Sequence, residues 1–550
     1  MTGSSVTFPD QPSDGSAATT PRQRQAILAV VALALMMVVS AVSGLNVALP
    51  GLARDTGASQ RDLQWIVDAY TVVFAGLLLT AGAVGDRYGR KGILLAGLGI
   101  FGAAAAAAMF SDDPGTLIAL RALMGAGAAA VMPVTLSIIT TSFPPEERGR
   151  AVGLWVGVAG AGAVVGLLGS GVLLEFFDWN SFFGLNVALA VFAFIGTLLV
   201  VPRSRDANSA PLDGPGAVLS LVGVASIVFA IIEGPERGWT DGLTLGTFAL
   251  GLAALAGFVG WELRVPAPIL DPRLFRLRGF SAGSLTLTVQ FFASFGFFFV
   301  VLQYLQFIVG FSPLEASLAL LPLPAVLIPL ARQAPAIADR FGMNRTTSLG
   351  LMLSAAGLAI ISLVEVDLSW WVFLPGLLLF AAGMGLAATP ATTAIVSSLP
   401  PERQGVASAV NDTSRELGSA IGIAVLGSLL NERYRSALGD AVAGLPEPVA
   451  EGAQASIAFV GSDAVAQLGP AGEALADAAR LAFVDGVGVA SLSAAGVLAV
   501  AAAAVYLFGP RHSPETAPTA GHDAGGASDQ AGAMSPTVAQ PEPARVRASG

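Results

Sequence analysis

Five ionisable side chains sit inside long apolar runs: Asp68 in LQWIVDAYTVV, Arg121 in LIALRALMGAG, and Asp412, Arg415 and Glu416 in AVNDTSRELGSAI. A charge in an apolar medium is costly, so residues of this kind are functional candidates by default. Burial raises the proton affinity of a carboxylate and a nearby cation lowers it, so a carboxylate that changes surroundings can take up and release a proton. Asp68 and Arg121 each lie about five residues into a helix from the same side, roughly 8 Å deep at 1.5 Å per residue. Equal depth predicts a buried pair, either a proton-exchanging couple or a static salt bridge between two helices. Asp412 and Glu416 are four apart, on one helical face with Arg415 beside them. They either carry a proton or a cationic ligand, or form a local cluster that Arg415 neutralises.

Other chemistries are excluded by what the chain lacks. It has no cysteine, and its two histidines, His512 and His522, lie in the C-terminal tail. Thiolate or histidine metal sites and cysteine nucleophiles are therefore ruled out, and no metal or cofactor is expected. The one lysine, Lys91, is preceded by Arg90 and followed by Gly92, so no Gly-Lys-Ser/Thr loop exists to hold ATP.

The elements that must position these residues are membrane helices. Of 550 residues, 54% are hydrophobic and 12% charged, about half the charge of a soluble domain. Such a chain cannot cover its surface with polar groups, so most of that surface faces lipid. Runs long enough to span, roughly 20 residues, fall at 26–50, 63–84, 92–110, 116–140, 150–174, 182–202, 213–232, 243–262, 281–308, 313–335, 347–364, 370–394, 405–430 and 483–508. This predicts an all-α protein of fourteen transmembrane helices, since backbone groups in lipid must be satisfied within the segment. A cytoplasmic N-terminus puts Arg87, Arg90, Lys91, Arg148, Arg150, Arg203, Arg205, Arg273, Arg276, Arg278, Arg340, Arg345 and Arg403 inside. Arg54, Arg61, Arg237, Arg433, Arg435 and Arg480 then fall outside. The asymmetry favours that orientation, and an even number of spans places both termini in the cytoplasm. Residues 1–25 read as a polar cytoplasmic tail without a removable signal, and 509–550 as a disordered one. Segment 431–482 reads as a long acidic, alanine-rich external loop with short surface helices.

Two turns are written twice. SFPPEERGRAVGL (142–154) recurs as SLPPERQGVASAV (398–410), and GAVGDRYGRK (82–91) as PAIADRFGMN (335–344). Both recur at nearly one spacing and in the same order, which is the signature of duplicated membrane halves. The expected organisation is a six-helix bundle over 26–202, two additional helices and linkers over 203–280, and a second six-helix bundle over 281–508.

With LNVALP (45–50), LQWIVDAYTVVFAGLLLTAGAVGDRYGRK (63–91), GPERGWTDG (234–242) and GVASAVNDTSRELGSAIGIAVLGSLL (405–430), the chain resembles the major facilitator superfamily, and within it the 14-span drug:proton antiporter branch. The resemblance covers about 26–430. It implies alternating access, in which two halves rock about a central cavity. It implies that Gly82, Asp86, Arg87, Gly89 and Arg90, echoed by Asp339, Arg340 and Gly342, form a gating loop. There the Asp86 carboxylate would meet the positive end of the helix beginning near Gly405; otherwise the loop is a plain anchoring turn. Arg121 matches the family's fourth-helix arginine, implicated in proton coupling. Two departures are visible. Ala41 stands where many relatives carry an aspartate, and Leu167 and Ser170 stand where the antiporter signature has proline and often glycine.

Helix nine carries Phe291, Phe292, Phe295, Phe297, Phe298 and Phe299 together with Gln290, Gln303 and Gln306. Apolar walls with a few polar groups suit an amphipathic ligand, though phenylalanine also faces lipid. The substrate-cavity candidates are Asn46, Gln290, Gln303, Gln306, Asn411 and Arg415. The resulting expectation is a multi-pass cell-membrane protein, not an enzyme and working as a monomer. Its partners are protons, lipid and a small organic substrate, with no nucleic acid, and it exports hydrophobic or cationic drugs against a proton gradient. Export of an endogenous metabolite, or a non-transporting sensor or scaffold, are the alternatives.

Overall fold

The computed structural model describes residues 20–205, 213–266, 268–399, 404–439 and 441–510. Most of the two expected tails, and the second Pro-Pro-Glu turn at 400–403, lie outside the described residues. Among the described residues there are nineteen α-helices: α1 (Pro21–Ser43), α2 (Leu45–Thr56), α3 (Gln60–Tyr88), α4 (Arg90–Ala108), α5 (Pro114–Ser142), α6 (Pro145–Phe176), α7 (Ser181–Val200), α8 (Gly214–Arg237), α9 (Gly242–Glu262), α10 (Arg278–Gln303), α11 (Pro313–Ala319), α12 (Pro322–Phe341), α13 (Met343–Ile361), α14 (Trp370–Ser397), α15 (Gln404–Leu438), α16 (Glu447–Ala455), α17 (Ile457–Val460), α18 (Asp463–Ala466) and α19 (Pro470–Phe508). A short 3-10 turn, Pro272–Arg276, precedes α10, and a π-helical turn, Tyr304–Ile308, follows it.

Helix starts follow local chemistry. Ser59 and Asp62 form a reciprocal capping box at the head of α3, and Ser312 and Glu315 do the same for α11. Asp113 caps α5, with Pro114 at its first position.

Among the described residues, ten helical segments are long and apolar enough to cross a membrane, or eleven when α3, bent by 54° between Leu78 and Thr80, is included. All fourteen expected spans are helical, but α6, α13 and α15 fall outside that count. The reason is composition for two of them: α13 opens Met-Asn-Arg-Thr-Thr-Ser, and α15 carries Asp412, Arg415 and Glu416. Segment 431–482 also differs from expectation. Helix α15 continues to Leu438 and α19 begins at Pro470, so the stretch between them is short and holds α16–α18.

The sequence repeat is a structural repeat. In one bundle α3 and α4 pack on α5, α1 on α6 and α4 on α7; in the other α12 and α13 pack on α14, α10 on α15 and α13 on α19. Gly89 and Gly342 end their helices with φ of 114° and 98°, each donating its N–H to the carbonyl four residues back, Gly85 and Ala338. Arg87 lies over the Tyr88 ring at 5.9 Å, and Arg340 over Phe341 at 5.4 Å. Lys91 Nζ donates to Leu198 O (2.8 Å), and Asn344 Nδ2 donates to Tyr506 O (3.0 Å). Each bundle thus ties this turn to the end of its own last helix. Both bundles also bring two glycines into close backbone contact: a Cβ on Gly127 would lie 2.7 Å from Gly97 O, and one on Gly350 2.9 Å from Gly383 O.

Helices α8 and α9 pair as a hairpin, and α8 lies against both α3 and α15. The bundles meet directly where α15 packs on α3, α11 on α6 and α10 on α2. Two ends of the molecule can be told apart. The α2–α3 end carries the turn Gly57–Ser59, and the Asp86 end carries Gly89.

Gly89 and Gly342 adopt backbone angles that L side chains rarely take, at a cost of about 1–3 kcal/mol for a non-glycine residue. Gly342→Ala should therefore lower the thermal midpoint of the detergent-solubilised protein. Gly92→Ala, in α4 with nothing within 4 Å of the added carbon, should leave it level or raise it.

Candidate functional site

Asp68 and Arg121 are both fully buried, but they do not form the expected pair. Arg121 Nε donates to Ile66 O (2.9 Å) and its NH1 to Ala41 O (3.4 Å), while the guanidinium lies 4.3 Å above the centre of the Tyr70 ring. Asp68 Oδ1 accepts from the Thr71 hydroxyl (3.3 Å), and Oδ2 has no hydrogen-bond partner. The correction is one of angle rather than depth. Ile66 and Tyr70 are four apart and share a face of α3. Asp68 stands two residues from each, about 200° round the helix at roughly 100° per residue.

Where Asp68 does point follows from its helical neighbours. Gln64, four residues before it, lies against α15: a Cβ on Gly427 would clash with the Gln64 amide nitrogen. Val72, four residues after it, joins a buried cluster with Val228 and Ile232 of α8 and Ala420 and Ala424 of α15. Asp68 lies between these two contacts, on the stripe of α3 that faces the seam between the bundles.

The α15 cluster is looser than a neutralised salt bridge. Arg415 approaches Asp412 only to 4.0 Å and stacks over Phe291 at 4.5 Å. Asp412 Oδ1 also accepts from Asn411 Nδ2 (3.1 Å), and the Thr392 hydroxyl donates to Asn411 Oδ1 (2.9 Å). Among the described residues nothing donates to Glu416. Asn411, Asp412, Arg415, Phe291 and Thr392 are thus brought together by α10, α14 and α15.

The expected cavity residues separate. Gln306 sits at the seam, where its Nε2 donates to Val47 O (3.1 Å), and Arg54 reaches Gln306 O (3.4 Å) and the Phe307 ring. Gln290 is inside the second bundle instead, accepting from the Ser354 hydroxyl at 3.1 Å. Gln303 donates to Phe299 O of its own helix and Asn46 of α2 to Val42 O near the end of α1, and among the described residues each keeps one buried oxygen without a partner. In the gating loop, Asp86 Oδ1 accepts from Arg90 Nε (2.8 Å) and Ser137 Oγ of α5 (2.9 Å), both in its own bundle. The approach to the expected partner near Gly405 runs through 400–403, outside the described residues. Asp339 and Arg340 lie at the matching turn, and Gly342 and Gly89 supply its geometry; Gly82 packs on Pro133 of α5, where an added Cβ would lie 3.2 Å away.

Sequence reasoning missed the residues that complete the seam. Gln60, Gln64 and Asn431 are buried and keep side-chain atoms without partners: Gln60 Nε2, and both amide atoms of Gln64 and Asn431. At the α2–α3 end an ion network ties α8 to both bundles. Arg61 meets Glu236 (2.7 Å) and Glu233 (3.7 Å), Arg435 meets Glu236 (3.8 Å), and Trp65 Nε1 donates to Glu233 (3.1 Å). The four-residue spacing Gln60–Gln64–Asp68 in an apolar helix was the available signal.

If Asp68 and Arg121 were a pair, Asp68→Asn would strand a buried cation at about 3–5 kcal/mol. With Arg121 held by carbonyls and Tyr70, Asp68→Asn should leave the thermal midpoint unchanged or higher. Arg121→Lys, which loses the planar fork, should cost about 2 kcal/mol or more in the same unfolding assay.

Comparison with known proteins agrees with this architecture. The Major Facilitator Superfamily model matches residues 31–423. The chain is 35% identical over 417 residues to a puromycin resistance protein of Streptomyces alboniger, covering 74% of this chain and 82% of that one. It is 34% identical over 468 residues to the multidrug efflux pump LfrA of Mycolicibacterium smegmatis, covering 84% and 92%. It is 33% identical over 417 residues to the methyl viologen resistance protein SmvA of Salmonella typhimurium, covering 75% and 83%. A crystal structure of a bacterial homologue of the human lysosomal transporter Spinster superposes with a TM-score of 0.61 at 17% identity, covering 89% of this chain and 98% of that one. Duplicated helical bundles, apolar spans and a match across most of the length lead to one conclusion: the chain belongs to the Major Facilitator Superfamily and is a multi-pass membrane transporter of small molecules.

Proposed function

We propose that this protein is a proton-coupled exporter of hydrophobic or cationic compounds that works by alternating access. The observation that carries the reading is Asp68, a fully buried carboxylate set in the seam between the bundles, with one oxygen unbonded and no cationic partner among the described residues. An isolated buried carboxylate is tolerated when it is neutral, and water reaching it from one side favours ionisation. A protein that opens the seam alternately at its two ends thereby loads and unloads Asp68. Arg121 acts beside it as a positioning residue, holding the backbone at Ile66 and Ala41.

Several contacts support a resting state closed at the α2–α3 end. Gln306 to Val47, Arg54 to Gln306, Ser317 Oγ to Leu167 O (3.2 Å) and Gln64 against Gly427 all join the bundles on that side. The basic turns at Asp86 and Asp339 favour a cytoplasmic opposite end, with both termini on that side. In this state Asp86 holds Ser137 and Arg90; when the cytoplasmic end closes, it is free to meet α15. Asp412, Glu416 and Arg415 with Phe291 offer an acidic and aromatic surface to an organic cation. Drugs and other organic cations suit such a wall, and the relatives named for puromycin, methyl viologen and multidrug efflux agree with it. The chain performs no covalent chemistry in this cycle and acts as a monomer with lipid around it, with the bundles at 26–202 and 281–508 as the moving parts. A second reading, export of a self-made antibiotic or other endogenous metabolite, is favoured by the Streptomyces relative, and the same mechanism would serve it.

In everted membrane vesicles acidified inside, ethidium or methyl viologen should accumulate, and a protonophore should abolish the accumulation. Asp68→Asn should reduce it about 100-fold or more, with the protein still in the membrane. Full accumulation by Asp68→Asn removes Asp68 from the mechanism, and accumulation indifferent to the gradient removes proton coupling. Glu416→Gln should weaken binding of the dication methyl viologen more than that of ethidium.

A further inference from the structure

The stripe that ends at Asp68 begins at the molecular surface. Gln60, Gln64 and Asp68 follow one another at four-residue intervals on α3, each 7% exposed or less. Facing them on α15 are Asn431 and Gly427, again four apart. Gln60 and Asn431 line a small cavity of about 10 Å³ together with Ser456, Tyr434 and Ile457 of α17. Six polar atoms along this line are buried and unpartnered: Gln60 Nε2, Gln64 Nε2 and Oε1, Asn431 Nδ2 and Oδ1, and Asp68 Oδ2. Amides that merely glued two membrane helices would bond across the seam, and these do not.

We infer that Gln60, Gln64 and Asn431 form a proton-access route from the α2–α3 end to Asp68, running through water held between their side chains while the seam stays closed to organic substrate. Residues four apart are about 6 Å apart along a helix. Side chains at that spacing can bond directly, as Arg90 does to Asp86 at 2.8 Å; Gln60, Gln64 and Asp68 do not bond to one another, and one bridging water with bonds of about 2.9 Å on each side would link each to the next. Each amide offers both donor and acceptor, so it holds water in either orientation without ionising itself. A proton entering from water at the mouth passes along these waters to the Asp68 carboxylate. It leaves by the other end when the bundles rock. The cavity has room for about one water, far less than a drug-sized site needs, which is why the route suits protons.

The charged groups around the route fit this role. Arg121 on α5 faces away, bound to Ile66 O and Ala41 O. On α8, Glu233, Glu236 and Arg237 sit at the mouth, with Arg61 of α3 and Arg435 of α15. On α2, Arg54 is bound to Gln306 O, and on α4 Arg90 is paired with Asp86 at the far end. Glu416 lies deeper on α15, and Asp412 and Arg415 beside it meet each other at 4.0 Å. No described cation therefore competes with the proton along the stripe itself.

This inference rests on Asp68 being the proton carrier, and the experiment separates the two. The purified full chain is placed in proteoliposomes with a pH-sensitive dye inside, and proton influx coupled to ethidium transport is followed. Gln64→Leu, nearly the same size without the amide, should cut coupled flux about tenfold or more, while ethidium binding stays within about twofold. Gln64→Ser, which restores a polar group and room for water, should recover most of the flux. Gly427→Ala, which pushes the Gln64 amide aside, should lower it as well. Parental flux in Gln64→Leu, or equal loss in Gln64→Leu and Gln64→Ser, overturns the route. Ethidium transport by the unaltered chain without proton movement overturns instead the reading of Asp68.

Discussion

In a lipid-facing protein every buried polar group must be answered by another group of the same chain, because the surrounding medium answers none. Most of this structure obeys that demand. Serine and threonine hydroxyls along the helices donate to carbonyls three or four residues back, such as Ser40 to Met37 and Thr135 to Met132. Arg121, the largest fully buried side chain, is met by two carbonyls and an aromatic face rather than by a counterion, with one guanidinium nitrogen left unbonded among the described residues. The demand goes unmet at several places, among them Asn46, Ser170, Thr197, Gln303 and one guanidinium nitrogen of Arg121; six of the unpartnered atoms, on Asp68, Gln64, Gln60 and Asn431, share one stripe at the seam between the bundles.

The duplication explains how such a seam arises. Two copies of one bundle, each with its own interior closed by glycine-to-glycine contacts, have stable interfaces inside and weaker ones between. Gly97 with Gly127 and Gly350 with Gly383 lock α4 to α5 and α13 to α14 at near backbone distance. Between the bundles single hydrogen bonds to carbonyls, such as Gln306 to Val47 and Ser317 to Leu167, accompany apolar packing such as Val72 on Ala420 and Ala424. Under the proposed alternating-access cycle, a difference of that kind would let each half move as a body. It is visible in residues that are equivalent by the repeat, so it is a property of the fold and not of one face.

Much of the fold was legible in the sequence, since hydrophobic run length and repeated turns report helices and their order directly. Glycine at 89 and 342 marked both turns because the backbone there needs φ near 100°. The site was less legible. Depth along a helix is countable from sequence, but the direction a side chain faces depends on which partner helix lies where. That is why Asp68 and Arg121 read as a pair when the Arg121 fork instead grips the far side of α3. Gln290 read as a cavity residue for the same reason and proves to be bonded within its own bundle to Ser354. Attention to ionisable groups alone passed over the amides at 60 and 64, although their spacing with 68 was there to see. The alanine-rich stretch after 430 read as loop, yet alanine is the strongest helix former, and α15 and α19 extend into it.

The additional hairpin has a consequence of its own. Helix α8 is fastened at one end to both halves, through Arg61 and Trp65 on one side and Arg435 and the Ser428 hydroxyl (2.8 Å to Ile231 O) on the other. The shared anion, Glu236, is one-fifth exposed. Partly exposed ion pairs are worth only about 0–1 kcal/mol each and weaken as salt rises. In the proposed cycle the inserted helices would act as a soft splint, aligning the two halves at rest and adding to their separation an ion-pair cost that falls as the ionic strength of the fluid bathing that face rises.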